Sequence, residues 1–214
     1  MLELQQLSCL AGYRPLFSGL NASLQAGQWL MLTGPNGTGK TTLLRALAGL
    51  VRPQAGAIRW QNAAVNTTSL QWRQTIHYLG HSSALKDSLS AHENLSIQLT
   101  LDLGANPGGN VVSNLLEQVG LAHRAELAVA RLSAGQRRRV QLARLAVSNR
   151  RLWLLDEPGN ALDADGNRLL GNLLDRHLGN GGTAVIATHQ SLTTTLSSEE
   201  LNLSRWSGAE PAAS

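Results

Sequence analysis

The stretch "GPNGTGKTT" at residues 34–42 leaves this chain the fewest ways to fold. It satisfies the spacing G-x-x-x-x-G-K-[ST], which cradles phosphate only when a strand leads in and a helix leads out. Both flanks comply. "QWLMLTG" (28–34) sets four consecutive apolar residues before Gly34, as a buried strand reads. "KTTLLRALAGLVRP" then spaces Leu43, Leu44, Leu47 and Leu50 on one helix face, with Gly49 and Pro53 as stop signals. Gly34, Gly37 and Gly39 let the backbone turn its N–H groups inward around phosphate oxygens, and the helix opening near Lys40 aims its positive end at the same point. In such a cradle Lys40 reaches the β- and γ-phosphates and Thr41 holds Mg²⁺.

The rest of the chain sets the scale. Its 214 residues suit one compact domain or one domain with a large insertion. No apolar run approaches the roughly 20 residues of a membrane-spanning helix, and "MLELQQLSCLAG" lacks the basic start of a signal peptide. Cys9 is the single cysteine, so no internal disulfide forms, which suits a reducing compartment. With 18 basic against 14 acidic residues the net charge of +4 does not choose a partner.

After the helix, "AGAIRWQNAAV" (55–65) alternates like an edge strand and turn. From about Leu85 to Asn149 the pattern is helical, in "SAHENLSIQLTL", "GNVVSNLLEQVGL" and "AGQRRRVQLARLAV". "RLWLLDEP" (151–158) and "TAVIATH" (183–189) return to strands, with the helical "DGNRLLGNLLDRHL" between them. This order predicts an α/β sheet with a helical insertion: residues 1–84 and 150–203 as the core, 85–149 as the helical part, and 204–214 as a disordered tail.

Two further stretches carry chemistry. In "RLWLLDE" the apolar run puts Asp156 and Glu157 at the carboxyl end of a buried strand, where α/β sheets bind ligands. Asp156 suits Mg²⁺, through water, and Glu157 is placed to polarise a water attacking a γ-phosphate. The acidic pair alone would be an ordinary exposed loop; beside a phosphate cradle it gains meaning. In "LSAGQ" (132–136), Ser133 caps the next helix while the Ala134–Gly135 backbone offers N–H groups to an anion. The helical part separates this loop from the cradle, so two copies placed head to tail would bring one copy's "LSAGQ" onto the nucleotide of the other.

That arrangement resembles the ATP-binding subunits of ABC ATPases, and the likeness covers roughly residues 1–203. "LSAGQ" is similar to the family's LSGGQ signature, with Ala134 replacing the first Gly. The resemblance implies a P-loop NTPase, ABC-type nucleotide-binding domain: a RecA-like parallel-sheet core, an antiparallel β subdomain and a helical insertion. It implies that Tyr13 stacks on adenine and that Gly34, Pro35, Asn36, Gly37, Thr38, Gly39, Lys40, Thr41 and Thr42 form the Walker A loop. Asp156 and Glu157 close Walker B, and Leu132, Ser133, Ala134, Gly135 and Gln136 act on the partner's ATP. Ala161, Leu162 and Asp163 form the D-loop, and His189 in "ATHQ" bonds the γ-phosphate. The cofactors implied are ATP and Mg²⁺, and the first partner is a second copy of the chain.

The family carries Gln about forty residues after Walker A; here His81 takes that position, within "HYLGHSSALKDSLSAHENL". That segment, with "LFSGLNASLQAGQW", "LSAGQRRRVQLARL" and "THQSL", is similar to the cytochrome c maturation branch, CcmA. The branch implies a peripheral ATPase on the cytoplasmic face of the bacterial inner membrane, working with a membrane subunit resembling CcmB and with CcmC, CcmD and CcmE nearby. Its turnover would drive haem export or release of haem-loaded chaperone. "DEPGNALD" departs from the branch at Gly159–Asn160, which is expected to loosen the D-loop.

The run Arg137–Arg139 reads as a solvated face with an accessory electrostatic role, opposite Val140, Leu142 and Leu145. A nucleic-acid stripe would need more basic residues along one face, and the chain has two lysines, so no nucleic acid is expected. His77, His92, His123 and His177 have no ligand spacing. Three alternatives stay open: a soluble ABC switch acting on nucleic acid or ribosomes, an ABC ATPase for another exported substrate, and a nucleotide sensor without hydrolysis.

Overall fold

The computed structural model describes residues 1–82 and 84–207. Its centre is a five-stranded, wholly parallel sheet of β3 (Trp29–Thr33), β6 (Ile76–Leu79), β7 (Leu152–Asp156), β8 (Thr183–Ala187) and β9 (Ser198–Asn202), in the order β6-β7-β8-β3-β9. Side chains alternate across a strand, so each strand serves two cores. Leu30, Leu32, Leu152, Leu154, Val185 and Ala187 face one side; Trp29, Trp153, Leu155, Ala184 and Ile186 face the other. Burial on both faces explains why the strands read as continuous apolar runs.

On the first face lie α1 (Lys40–Leu47) and an antiparallel sheet of β1 (Leu2–Ala11), β2 (Arg14–Leu24), β4 (Ala55–Trp60) and β5 (Ala63–Ala64), ordered β2-β1-β4-β5. Within 55–65 the edge is therefore only the short β5, because β4 is paired on both sides. Leu43, Leu44 and Leu47 are fully buried, whereas Leu50 lies beyond the helix end and is exposed. A short helix, α2 (Leu70–Thr75), leads into β6. On the second face lie α6 (Ala164–Gly179) and one side of α5 (Ala134–Ala146).

The helical part forms its own core. α3 (Ala91–Leu103) buries Ala91, Leu95 and Leu99 against α4 (Gly109–Gln118) and α5. Its opposite face leaves Ile97 and Leu101 exposed. Ser90 and Glu93 start α3 with a capping box, and the buried Asn94 pins the preceding turn, accepting from the Lys86 N–H at 2.7 Å and donating to the Lys86 carbonyl at 2.9 Å. No helix among the described residues is long and apolar enough to cross a membrane. The start of the expected tail at 204–214 is ordered: Leu203–Trp206 form a 3-10 turn, and Trp206 packs on the first core. Residues 208–214 lie outside the described residues.

Beneath the sheet, at the amino ends of β7 and β8, the His177 ring stacks on Trp153 with centroids 4.0 Å apart and planes 7° from parallel. Its Nε2 lies 3.1 Å from the Thr183 carbonyl. Burial pushes the His177 imidazole down to about 4, with Arg151 adding to the effect and the Thr183 carbonyl opposing it. His77, bonded to Ser148 at 3.0 Å, is pushed down to about 3, first by burial and then by Arg144, Arg150 and His177. Both rings stay neutral in the fold but take a proton in the unfolded chain below its pKa of about 6.5. The unfolded state then binds more protons, so stability is full above about pH 6.5 and falls as pH drops toward 4. For His177 the full loss is about 3 kcal/mol. Urea unfolding at about pH 7.5 and about pH 5 should show this fall, and His177→Gln, neutral at both, should flatten part of it.

Candidate functional site

Every strand of a parallel sheet points its carboxyl end the same way, so loops far apart in sequence meet at one edge. Four loops do so here: residues 34–39 after β3, Gly80–His81 after β6, Glu157 after β7 and Thr188–Gln190 after β8. They enclose a cavity of about 620 Å³ lined by Lys40, Thr41, His81, Asp156, Glu157 and His189, among others. Asn36, Gly37, Gly39 and Thr42 also line it, while Gly34, Pro35 and Thr38 shape the loop behind. Gly39 has φ +103°, and a Cβ there would meet Phe17 Cδ1 at 3.0 Å and Leu16 Cβ at 3.1 Å. The residue must be Gly because the β2 strand supports the loop from behind.

The cradle fits nucleotide and metal by its own chemistry. The N-terminus of α1 has no side-chain cap, leaving its leading N–H groups for an anion. Lys40 Nζ donates to the Gly34 carbonyl at 2.6 Å and the Pro35 carbonyl at 3.1 Å, which holds the ammonium inside the curve of the loop. Thr41 Oγ1 donates to Asp156 Oδ2 at 2.9 Å. That hydroxyl and carboxylate are hard oxygen donors of the kind Mg²⁺ takes when phosphates and waters complete its shell. A cage built of protein acids is absent: among the described residues no three or more His, Cys, Asp or Glu are grouped so that they could hold a metal ion by themselves.

Glu157 sits at φ +48°, a left-handed conformation costing about 1–3 kcal/mol for a non-glycine residue unless its surroundings impose it. Here they do. Its N–H donates to the Ala187 carbonyl at 2.8 Å, and its own carbonyl accepts from Asn160 N–H at 3.2 Å and from Arg138. The Glu157 carboxylate is 14% exposed, and His189 Nε2 lies 3.7 Å from its Oε1. The 188–190 turn that presents His189 is tied by the Gln190 N–H donating to Thr188 Oγ1 at 3.0 Å.

"LSAGQ" lies elsewhere. Ser133 and Gln136 form a capping box at the start of α5. Ser133, Ala134, Gly135 and Gln136 line a second cavity of about 590 Å³, with Ala161 and Asp163 of the D-loop, that shares no residue with the first. Leu132 is buried beneath it. The substitution of Ala for Gly meets no packing within the chain, because Ala134 is exposed. A Cβ at Gly135 would lie 2.5 Å from the Ala161 carbonyl, so the second glycine is the one the packing requires. The D-loop is not loosened by Gly159–Asn160. Leu162 N–H donates to the Gly159 carbonyl at 3.1 Å, Asn167 Nδ2 donates to the Leu162 and Asp163 carbonyls, and Asp163 caps α6 through the Gly166 N–H at 2.8 Å. That N–H, then Arg139, holds the Asp163 carboxyl below its ordinary range.

Three sequence readings are placed or corrected here. Tyr13 is fully exposed in the β1–β2 turn and does not line the cavity, although Ala11 and Leu16 of the same hairpin do. His81 is exposed and lines it. The arginine run is not one solvated face: successive helical residues are about 100° apart, so three of them cannot share a face. Arg137 pairs with Asp87 at 3.3 Å, Arg139 with Asp163 at 2.5 Å, and Arg138 turns inward to the carbonyls of Asp156 and Glu157. Arg138 escaped the sequence reading, yet its i+4 and i+7 neighbours, Leu142 and Leu145, are core residues. Asn160 and Gln190, which also line the first cavity, had no sequence signal.

Comparison with known proteins agrees with this geometry. The family model described as ABC transporter matches residues 17–160. The chain is 43% identical over 191 residues to the cytochrome c biogenesis ATP-binding export protein CcmA of Haemophilus influenzae, covering 89% of this chain and 90% of that one. It is 47% identical over 186 residues to the protein of the same name from Rhodopseudomonas palustris, covering 87% and 90%. Among solved structures, a putative ABC transporter ATP-binding protein from Pyrococcus furiosus superposes with a TM-score of 0.80 at 25% identity, over 96% of this chain and 98% of that one. The dimeric post-hydrolysis state of the ATP-binding cassette MJ0796, bound to ADP and Pi, gives 0.76 at 26% identity over 89% and 88%. The chain belongs to the ABC transporter family, as an ATP-hydrolysing, ATP-binding subunit of the CcmA-like kind.

Proposed function

We propose that this chain works as a pair of copies that close on two ATP molecules and spend them on cytochrome c biogenesis at the cytoplasmic face of a bacterial inner membrane. The observation that carries this reading is the separation of the two cavities. One holds the cradle, Asp156, Glu157 and His189; the other holds "LSAGQ" and the D-loop, and within one chain they share no residue. A second copy supplies the missing half of each site.

In this reading the backbone N–H groups of 36–42 and the Lys40 ammonium hold the β- and γ-phosphates, and Tyr13 stacks on the adenine. Thr41 and Asp156 would hold Mg²⁺, which when bound supplies neutralisation of phosphate charge. Glu157 orients a water and draws off its proton as the water oxygen bonds to the γ-phosphorus and the bond to the β–γ bridging oxygen breaks. His189 would bond the γ-phosphate, and His81 would stand between the Thr41–Asp156 site and the membrane partner. The partner copy's Ser133–Gln136 turn presents N–H groups to the same phosphate, with its D-loop alongside.

The curated relatives carry cytochrome c biogenesis and export in their names. On that basis turnover drives haem export or the release of a haem-loaded chaperone, the membrane subunit resembles CcmB, and CcmC, CcmD and CcmE complete the complex. The exposed Ile97 and Leu101 on α3 support docking onto such a partner. The internal engagement of Arg137, Arg138 and Arg139 argues against a nucleic-acid stripe.

Three measurements test the reading. Lys40→Ala should abolish ATP binding, whereas Ser133→Arg should leave binding to the isolated chain intact and stop phosphate release; equal loss of binding in both would make "LSAGQ" part of the same-chain site. Glu157→Gln should lower turnover by roughly 100-fold or more while ATP stays bound; unchanged phosphate release would remove Glu157 from catalysis. Purified through a tag from gently solubilised membranes of its native bacterium, the chain should bring a small polytopic membrane protein and haem absorbance. Recovery with ribosomes or nucleic acid instead would keep the ATPase and discard the transporter.

A further inference from the structure

Among the described residues, Arg138 is the one buried arginine, and the proposed chemistry does not use it. It is 6% exposed, although it stands in a basic run on the helix that begins with "LSAGQ". Its guanidinium spans three segments. Nη2 donates to the Glu157 carbonyl at 2.5 Å and to the Asp156 carbonyl at 3.2 Å; Nη1 donates to Gln141 Oε1 at 2.9 Å and to the Gly80 carbonyl at 3.3 Å. Among the described residues no carboxylate pairs with it directly. A buried guanidinium is normally placed by paired acids, so its commitment to main-chain carbonyls makes it a device for fixing a backbone path. The path it fixes is the left-handed turn at Glu157, at φ +48°, whose N–H is held from the other side by the Ala187 carbonyl. Gly80, the third backbone acceptor, precedes His81, which lines the same cavity.

We propose that Arg138 is the positioning residue for Glu157: it holds the Glu157 backbone in the conformation that aims the carboxylate into the cavity, and ties that aim to the signature helix and to the segment before His81. The inference rests on the reading of Glu157 as the group that activates water. It gives each chain an internal link from its own signature helix, which serves the partner's nucleotide, to the carboxylate that serves its own. Movement of α5 therefore reaches the backbone that carries the carboxylate through two hydrogen bonds and no flexible loop.

The test compares Arg138→Gln, Arg138→Lys and Glu157→Gln for ATP affinity, turnover and thermal stability in the full-length chain. Arg138→Gln should bind ATP within about twofold of the wild type and lose turnover by roughly 30-fold, a loss in kcat and not in KM. Arg138→Lys, which keeps a cation for the carbonyls, should recover part of it. Added to Glu157→Gln, Arg138→Gln should cause no further loss beyond about twofold, because both act through one carboxylate. A folded Arg138→Gln with wild-type turnover would overturn the proposal, and so would equal losses of ATP affinity and turnover, or losses that add fully in the double variant. Should Arg138→Gln fail to fold, Arg138→Lys decides by the same three readouts. Retained turnover in Glu157→Gln would sink the parent reading; loss there with full turnover in both Arg138 variants would sink this inference alone.

Discussion

The hydrogen bond from Thr41 to Asp156 joins residues 115 positions apart and closes the site. One partner opens the helix after the phosphate loop; the other ends the strand beside β8. Neither could reach the other unless β3, β8 and β7 ran parallel and ended level. The register does this: Leu32 pairs with Ala187, and Ala187 pairs in turn with Asp156. The two-sided core that sets the sheet thus also sets the distance between cradle and carboxylates. Function depends on strand register to within one residue, because a slip would send every side chain of the strand to the opposite core.

Much of this was legible in the chain itself. The phosphate loop, β7, β8 and the helices from 91 to 146 carry apolar periods strong enough to read, and the acidic pair at 156–157 falls at a strand end by counting alone. What escaped has physical reasons. β1 breaks its alternation through bulges between Leu4 and Leu7 and on to Leu10, with Gln6 at positive φ, so it does not read as one long strand. β6 has four residues, too few for a period. β9 forms the sheet border and carries exposed Glu199 and Glu200, so burial leaves little mark on its sequence. Arg138 was hidden by its neighbours: a run of like charges suggests solvent until each residue is assigned its own direction around the helix.

The signature region shows how a loop can be rigid without a ligand. Ser133 and Gln136 satisfy each other's backbone, the Ala161 carbonyl fills the space that a side chain at Gly135 would need, and Asp163 both caps α6 and accepts from Arg139. Signature and D-loop are consequently one packed surface and not two mobile strings. Ala134, in place of the first glycine of the pair, is exposed and displaces nothing in this packing.

Arg137, Arg138 and Arg139 give α5 a mechanical character. Arg137 grips the 130–132 carbonyls and Asp87, Arg138 the ends of β6 and β7, and Arg139 the Val119 carbonyl and Asp163. Because they leave one helical turn in three directions, rotation of α5 about its axis cannot move any of these regions alone. The turn behaves as a pinion meshed with three racks, whose displacements stand in fixed ratio and differ in direction.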